Sequence, residues 1–192
     1  MRELKHRCNY VNMKNPLYIS YHDDEWGVPE HNDQKLYELL LLECFQAGLS
    51  WECILNKRDN FRQAFDGFDI DKVCQYDEAK CAELLSNPGI IRNKLKVSAA
   101  IKNSIIIKEI QQEYGSFDCY IWSFTNGEVI IEDYMTRTTS PLSDAISKDL
   151  KKRGMKFVGS TIIYSYLQAI GVLNAHGKEC DLCPSHREDN VE

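Results

Sequence analysis

At 192 residues with a formal net charge of −6, the chain is long enough for one core and too acidic to bind nucleic acid over its whole surface, which leaves room for a local basic patch only. No apolar run is long enough to span a bilayer and residues 1–5 lead into no signal core, so the sequence reads as a soluble cytoplasmic protein without a membrane contact, one domain over 1–186 with a disordered acidic tail at 187–192. Eight cysteines in such a chain point to reduced thiols and metal ligands rather than to a disulfide framework.

Residues 1–29 show no sustained periodicity but are dense in Cys8, Tyr10, Tyr18, Tyr21, His22 and Trp26, with a turn at Asn15-Pro16. Such a segment stays loose unless something ties it down, and a metal would do so. The cluster Glu30-His31-Asn32-Asp33 supplies an N-cap for a helix over 34–48 that Gly48 ends. On that helix Leu36, Leu39 and Leu40 form an apolar stripe, and Glu43 takes the next place on it, ahead of Ala47. A carboxylate aimed at the core needs donors, either from backbone amides or a buried arginine, or from a ligand that brings them. Trp51, about two turns on, offers a flat surface nearby, and Ser50-Trp51 opens a helix running toward Phe65.

The pattern over 69–114 stays helical, broken by Asn87-Pro88-Gly89, and Ile105-Ile106-Ile107 fits a long helix better than a strand. Tyr120 to Phe124 reads as helix, Asn126-Gly127 as a hairpin-type turn, and 128–139 as an irregular excursion. Cys44, Cys53, Cys74, Cys81 and Cys119 are expected in the core. Ser140-Pro141 caps a helix that Gly154 stops; a short connection over 155–159 follows, and Ser160 or Thr161 caps an apolar helix through Ile170. Amides at the start of that second helix make an anion site, with Lys151, Lys152, Arg153 and Lys156 around it, a combination suited to the DNA backbone. The alternative is that these cations only complement the first helix's dipole.

Near the other end His176 and Cys180 lie four residues apart, a spacing zinc accepts. Cys8 and His22 are their natural completion, with Cys183, His186 and His6 as competitors.

The blocks Tyr18 to Pro29, Glu43 to Trp51, Leu150 to Gly159, and His176 with Cys180 together resemble the type I 3-methyladenine DNA glycosylases, in the same order and at similar intervals from Cys8 to about Cys183. The resemblance implies an all-α fold of the helix-hairpin-helix glycosylase class. The helix-hairpin-helix unit would span about 141–171, and a structural zinc would join segments of about 8–29 and 172–183. It implies Cys8, His22, His176 and Cys180 as zinc ligands, Glu43, Tyr21 and Trp51 as the base pocket with Tyr18 and Ser165 lining it, and the DNA backbone held at Lys151, Lys152, Arg153, Lys156 and Gly159. Tyr10 stands where relatives can carry tryptophan. The implied activity is hydrolytic release of 3-methyladenine from double-stranded DNA by a monomer, with Glu43 as the catalytic residue, recognising the base first and stabilising the transition state electrostatically second. The proposed zinc ligands occupy the region where many helix-hairpin-helix glycosylases place a catalytic Asp, and no lysine is offered as a Schiff-base nucleophile. The product is therefore an abasic site without strand cleavage.

Overall fold

The computed structural model describes residues 6–132 and 137–184, so the tail at 187–192 and the competitor His186 lie outside the described residues. Ten α-helices account for most of it: α1 Pro16–Asp24, α2 Asp33–Gln46, α3 Trp51–Leu55, α4 Arg58–Ala64, α5 Ile70–Val73, α6 Glu78–Ser86, α7 Lys94–Tyr114, α8 Phe117–Ser123, α9 Pro141–Arg153 and α10 Ser160–Ala169. Two short strands, β1 Ile130–Ile131 and β2 Leu173–Asn174, qualify the all-α expectation. They pair in parallel, Ile130 with Leu173 and Ile131 with Asn174, and anchor the excursion over 128–139 to the segment that follows α10.

Helix α2 is the axis of the molecule. Every residue from Leu36 to Phe45 is buried, as expected of a helix enclosed on all sides. Asn32 caps it, its side chain accepting from Lys35 N, while Asp33 turns to α8 and accepts from the amides of Phe117 and Asp118, both at 2.8 Å. Tyr37 on α2 donates to Ala100 O of α7 (3.3 Å), and Tyr166 of α10 donates to Leu36 O (3.1 Å). One apolar cluster takes in residues from Cys8 to Leu182.

The helix expected from Ser50 toward Phe65 is divided into α3 and α4, with Asn56 and Lys57 between them. Asn126 and Gly127 both adopt positive φ, but the turn they make leaves α8 and leads into β1 rather than joining two antiparallel strands. Of the five cysteines expected in the core, only Cys44 is buried; Cys53, Cys74 and Cys81 are half-buried and Cys119 is exposed. Cys53, Cys81 and Cys119 stand on the outward sides of the short helices α3, α6 and α8, and Cys74 just past the end of α5.

Ser140 and Pro141 start α9 as expected, with a reciprocal bond between Ser140 and Ser143. Gly154 ends it at φ 101°, a conformation open to glycine. At the start of α10 the expectation fails in detail. Gly159 occupies the cap position and offers no side chain, while the Ser160 hydroxyl lies 2.8 Å from that of Ser143. The turn between the helices is clamped from α7, where Asn103 accepts from Lys156 N and donates to Lys156 O, both at 2.9 Å.

Candidate active site and metal centre

Glu43 lies in the last turn of α2 with 3% of its surface exposed, and its Oε2 has no hydrogen-bond partner. Burial alone pushes its carboxyl up to about 8. The interior arginine that could have satisfied it is engaged elsewhere: Arg58 donates to Glu38 Oε1 at 2.5 Å and to Glu25 Oε1 at 2.8 Å. Trp51 Nε1, at the first turn of α3, is likewise buried without a partner. Ser50 sets that turn by accepting from Cys53 N. A buried acceptor and a buried donor left open each forfeit roughly 1–3 kcal/mol, which a ligand with complementary groups recovers.

Both face one cavity of about 430 Å³. Tyr21 from α1 and Trp51 from α3 stand with ring centroids 5.1 Å apart and planes at 47°. Tyr18, Tyr10 and Trp26 extend the aromatic wall, Tyr10 at 6.2 Å from Tyr18 and 5.3 Å from Trp26. The Tyr21 phenol is held well above its ordinary range, by burial first and by Glu43 second, so it stays protonated as a donor. Ser165 also lines this cavity.

The sequence reading missed Gln46, Thr161, Tyr164 and Gln168 on the same cavity, and Arg137 with Thr138 at the end of the excursion. A signal existed for most of these. Gln46 lies one turn beyond Glu43, and Thr161, Ser165 and Gln168 share one face of α10 at the i, i+4, i+7 spacing. Arg137 and Thr138 have no such periodicity; they reach the site because β1 pairs with β2 and Tyr164 donates to Glu132 at 2.6 Å.

Beside the cavity, Lys151, Lys152 and Lys156 are exposed at the α9–α10 turn. Arg153 is not available in the same way. Its guanidinium is bonded to Glu113 (2.6 Å) and Asp149 (2.7 Å) and lies over Tyr114 and Tyr120. A Cβ built at Gly159 meets nothing within 4 Å, so the fold itself does not demand glycine there. Cys44, the residue after Glu43, places its sulfur 3.4 Å from Phe157 O of the same turn.

Behind Trp26, Cys8, His22, His176 and Cys180 bring four buried ligand atoms within 4.8 Å of one another, a group able to hold a metal ion. His22 Nδ1 bonds Asp23 (2.8 Å), leaving Nε2 toward Cys180; His176 Nε2 bonds Trp26 O (3.1 Å), leaving Nδ1 toward both sulfurs. Partners of this kind fix which imidazole nitrogen stays free for a metal. The hydrogen bond between the two thiols holds Cys180 below its ordinary range, with His176 and His22 adding to the effect, and together with burial it raises Cys8, so the pair shares one proton and one thiolate is favoured. The competitors Cys183 and His6 are not in the group.

A helical scaffold carries an open acid in an aromatic cavity, next to a cationic turn between two helices, the arrangement of a protein built around a flat, electron-poor heterocycle. Residues 11–183 match the methyladenine glycosylase family, and the chain belongs to that family. It is 43% identical over 185 residues to DNA-3-methyladenine glycosylase 1 of Escherichia coli (strain K12), covering 94% of this chain and 98% of the relative. The crystal structure of a 3-methyladenine DNA glycosylase I superposes with a TM-score of 0.89 at 44% identity, covering 93% of this chain and all of the other. A variant of 3-methyladenine DNA glycosylase I in complex with 3-methyladenine gives 0.86 at 35% identity, covering 89% and 94%.

Proposed function

We propose that this protein is a DNA-3-methyladenine glycosylase of base-excision repair, which extrudes 3-methyladenine from double-stranded DNA and hydrolyses its glycosidic bond. The observation that carries the reading is the pair of unpartnered buried atoms, Glu43 Oε2 and Trp51 Nε1, facing one aromatic cavity. Methylation at N3 makes the base cationic while it is attached and weakens its bond to the sugar, so the leaving group needs little further activation. Selection is the harder task. Tyr21, Trp51 and Tyr18 favour a cationic ring over its neutral counterpart, and Glu43 accepts from its amino edge while adding Coulomb attraction. Before a base enters, burial keeps Glu43 largely protonated; the cationic ring supplies the charge that lets it ionise, and the proton leaves to solvent. Ionised, Glu43 also stabilises positive charge developing on the sugar as the bond breaks. Ser165 completes the lining.

Residues 141–171 act as a helix-hairpin-helix unit in this reading, holding a phosphate on the free amides of α10 beside Lys151, Lys152 and Lys156, with Gly159 letting the backbone approach. Arg153, already committed to Glu113 and Asp149, stabilises the unit from within instead. Cys8, His22, His176 and Cys180 hold a zinc ion, a donor set and burial that suit it. With four protein ligands the ion supplies structure only, tying 8–29 to 172–183. The protein works as a cytoplasmic monomer, one domain over 1–186, and leaves an abasic site on an intact strand.

The test is incubation with methylated duplex DNA and chromatography of the released bases. Release of 3-methyladenine with no borohydride-trapped adduct is expected; no release of base, or a trapped protein–DNA adduct, overturns the corresponding half of the reading.

A further inference from the structure

Several surface cations are neutralised by carboxylates, Lys35 by Glu30, Arg62 by Glu38 and Asp59, Lys80 by Glu83, while others, Lys14, Lys148 and Lys178 among them, are exposed with no carboxylate partner among the described residues. Helix α7 holds both kinds. Lys108, in its distal half, pairs with Asp71, whereas Lys94 and Lys102, and Arg92 just before the helix, are exposed and have no carboxylate partner among the described residues.

The charge order along α7 also opposes its dipole. Its first turn carries Lys94 and Lys96 and no acid, and its last turn carries Glu113 and no base. Cations at an N-terminus are unfavourable for the helix. Lys96 is answered by Phe45 O and Ala47 O at the end of α2, and Glu113 by Arg153, whereas Lys94 has no such partner among the described residues and is a charge that an anion brought from outside would answer.

Lys94 and Lys102 lie on the face of α7 that adjoins the cationic turn. Lys94, Ser98 and Lys102 follow at i, i+4, i+8 on one exposed stripe. The Lys102 ammonium lies 3.7 Å from where a Cβ on Gly154 would stand, and Lys102 shares a surface depression with Lys156 and Phe157. At the other edge Lys96 is buried and donates to Phe45 O (2.7 Å) and Ala47 O (2.6 Å), so the first turns of α7 bridge from the end of the acid-bearing helix to the α9–α10 turn.

We infer that Arg92, Lys94 and Lys102 form a second line of phosphate contacts, continuing the DNA surface of the α9–α10 turn along the first turns of α7. The inference rests on the reading of that turn as a DNA-backbone grip, and its occupant is the sugar–phosphate backbone of the duplex. Each exposed ammonium or guanidinium neutralises one phosphate and releases its counterion, and none of the three reaches the base cavity.

The experiment compares the wild-type protein with the triple variant R92A/K94A/K102A and, separately, with K151A/K152A/K156A. Binding to a duplex carrying an abasic-site analogue is followed by fluorescence anisotropy from 0.05 to 0.4 M NaCl. Taking away three phosphate-neutralising charges should reduce the slope of log Kd against log salt by about 2.7, which weakens binding at 0.15 M on the order of a hundredfold. Affinity for free 3-methyladenine should not change, because that cavity is untouched. A reduction of one or more with unchanged base affinity supports the inference; a smaller reduction, or a parallel loss of base affinity, overturns it. The second variant judges the α9–α10 turn separately: if its slope stays at the wild-type value while that of the first falls, the turn reading fails and the α7 line stands.

Discussion

Replacing Glu43 by Gln should make the protein more stable and less useful at once. The side chain keeps its size, and what changes is the ability to ionise in a buried place. Below about pH 4.5 the acid is protonated in folded and unfolded chains alike and contributes nothing to the difference. As pH rises, the unfolded chain releases this proton first while the folded chain retains it until about 8, so the fold loses stability across that window and the loss levels off above it. The difference between the two values corresponds to roughly 3 kcal/mol at pH 7 and approaches roughly 5 kcal/mol above pH 8. Urea denaturation of both proteins at pH 5 and pH 9 isolates the effect, since every other group titrates identically in the two and cancels. Titration with 3-methyladenine by calorimetry should show the opposite sign, a loss on the order of 2 kcal/mol when a charged acceptor becomes a neutral one. A stability gap between the proteins that is the same at pH 5 and pH 9 would refute the claim that Glu43 is an ionisable group held against desolvation.

The same acid should govern turnover: kcat/KM on methylated duplex rises with pH and flattens near 8 as free Glu43 ionises, and E43Q removes that dependence; a flat wild-type profile argues against it. Gly171→Ala places a Cβ 2.3 Å from the Val28 carbonyl carbon at φ +73°, and urea denaturation should register a loss above about 2 kcal/mol with helicity retained. Removal of metal by a strong chelator should lower Tm and expose residues near the amino end to protease, with elemental analysis giving one zinc per chain beforehand; an unchanged Tm after complete removal would count against a structural ion.

Local signals served the sequence reading best where a single helix decides the outcome. The cap from the cluster Glu30 to Asp33, which the structure resolves to Asn32, the helix start at Ser50, the cap at Ser140, the stop at Gly154 and the inward place of Glu43 all depend on residues within a turn or two of one another, and the structure has them. Tyr18, Tyr21, Trp51 and Ser165 do meet Glu43 at one cavity. What escaped depends on partners far apart in the chain. Nothing local says that Ile130 and Ile131 pair with Leu173 and Asn174, and without that pairing Arg137 and Thr138 have no reason to reach the cavity. Nor could spacing decide which acid receives the interior arginine. Glu38 and Glu43 both lie buried on α2, and only the placement of α4 gives Arg58 to the first and leaves the second open. Gly159 as an unoccupied cap was hidden by two hydroxyl residues after it, because the Ser160 side chain is drawn back to Ser143.

The contact of Cys44 with the carbonyl of Phe157 joins the residue beside the acid directly to the turn between α9 and α10, and the two bonds of Asn103 lock that turn in place. On the proposed reading of that turn as a grip on the DNA backbone, the distance from the strand's seat to the floor of the base cavity is set like a gauge block, and a nucleotide is sorted by whether it can stretch across that span. The nucleic acid is then the supple partner, and lesions that loosen the duplex gain access with little accommodation asked of the protein.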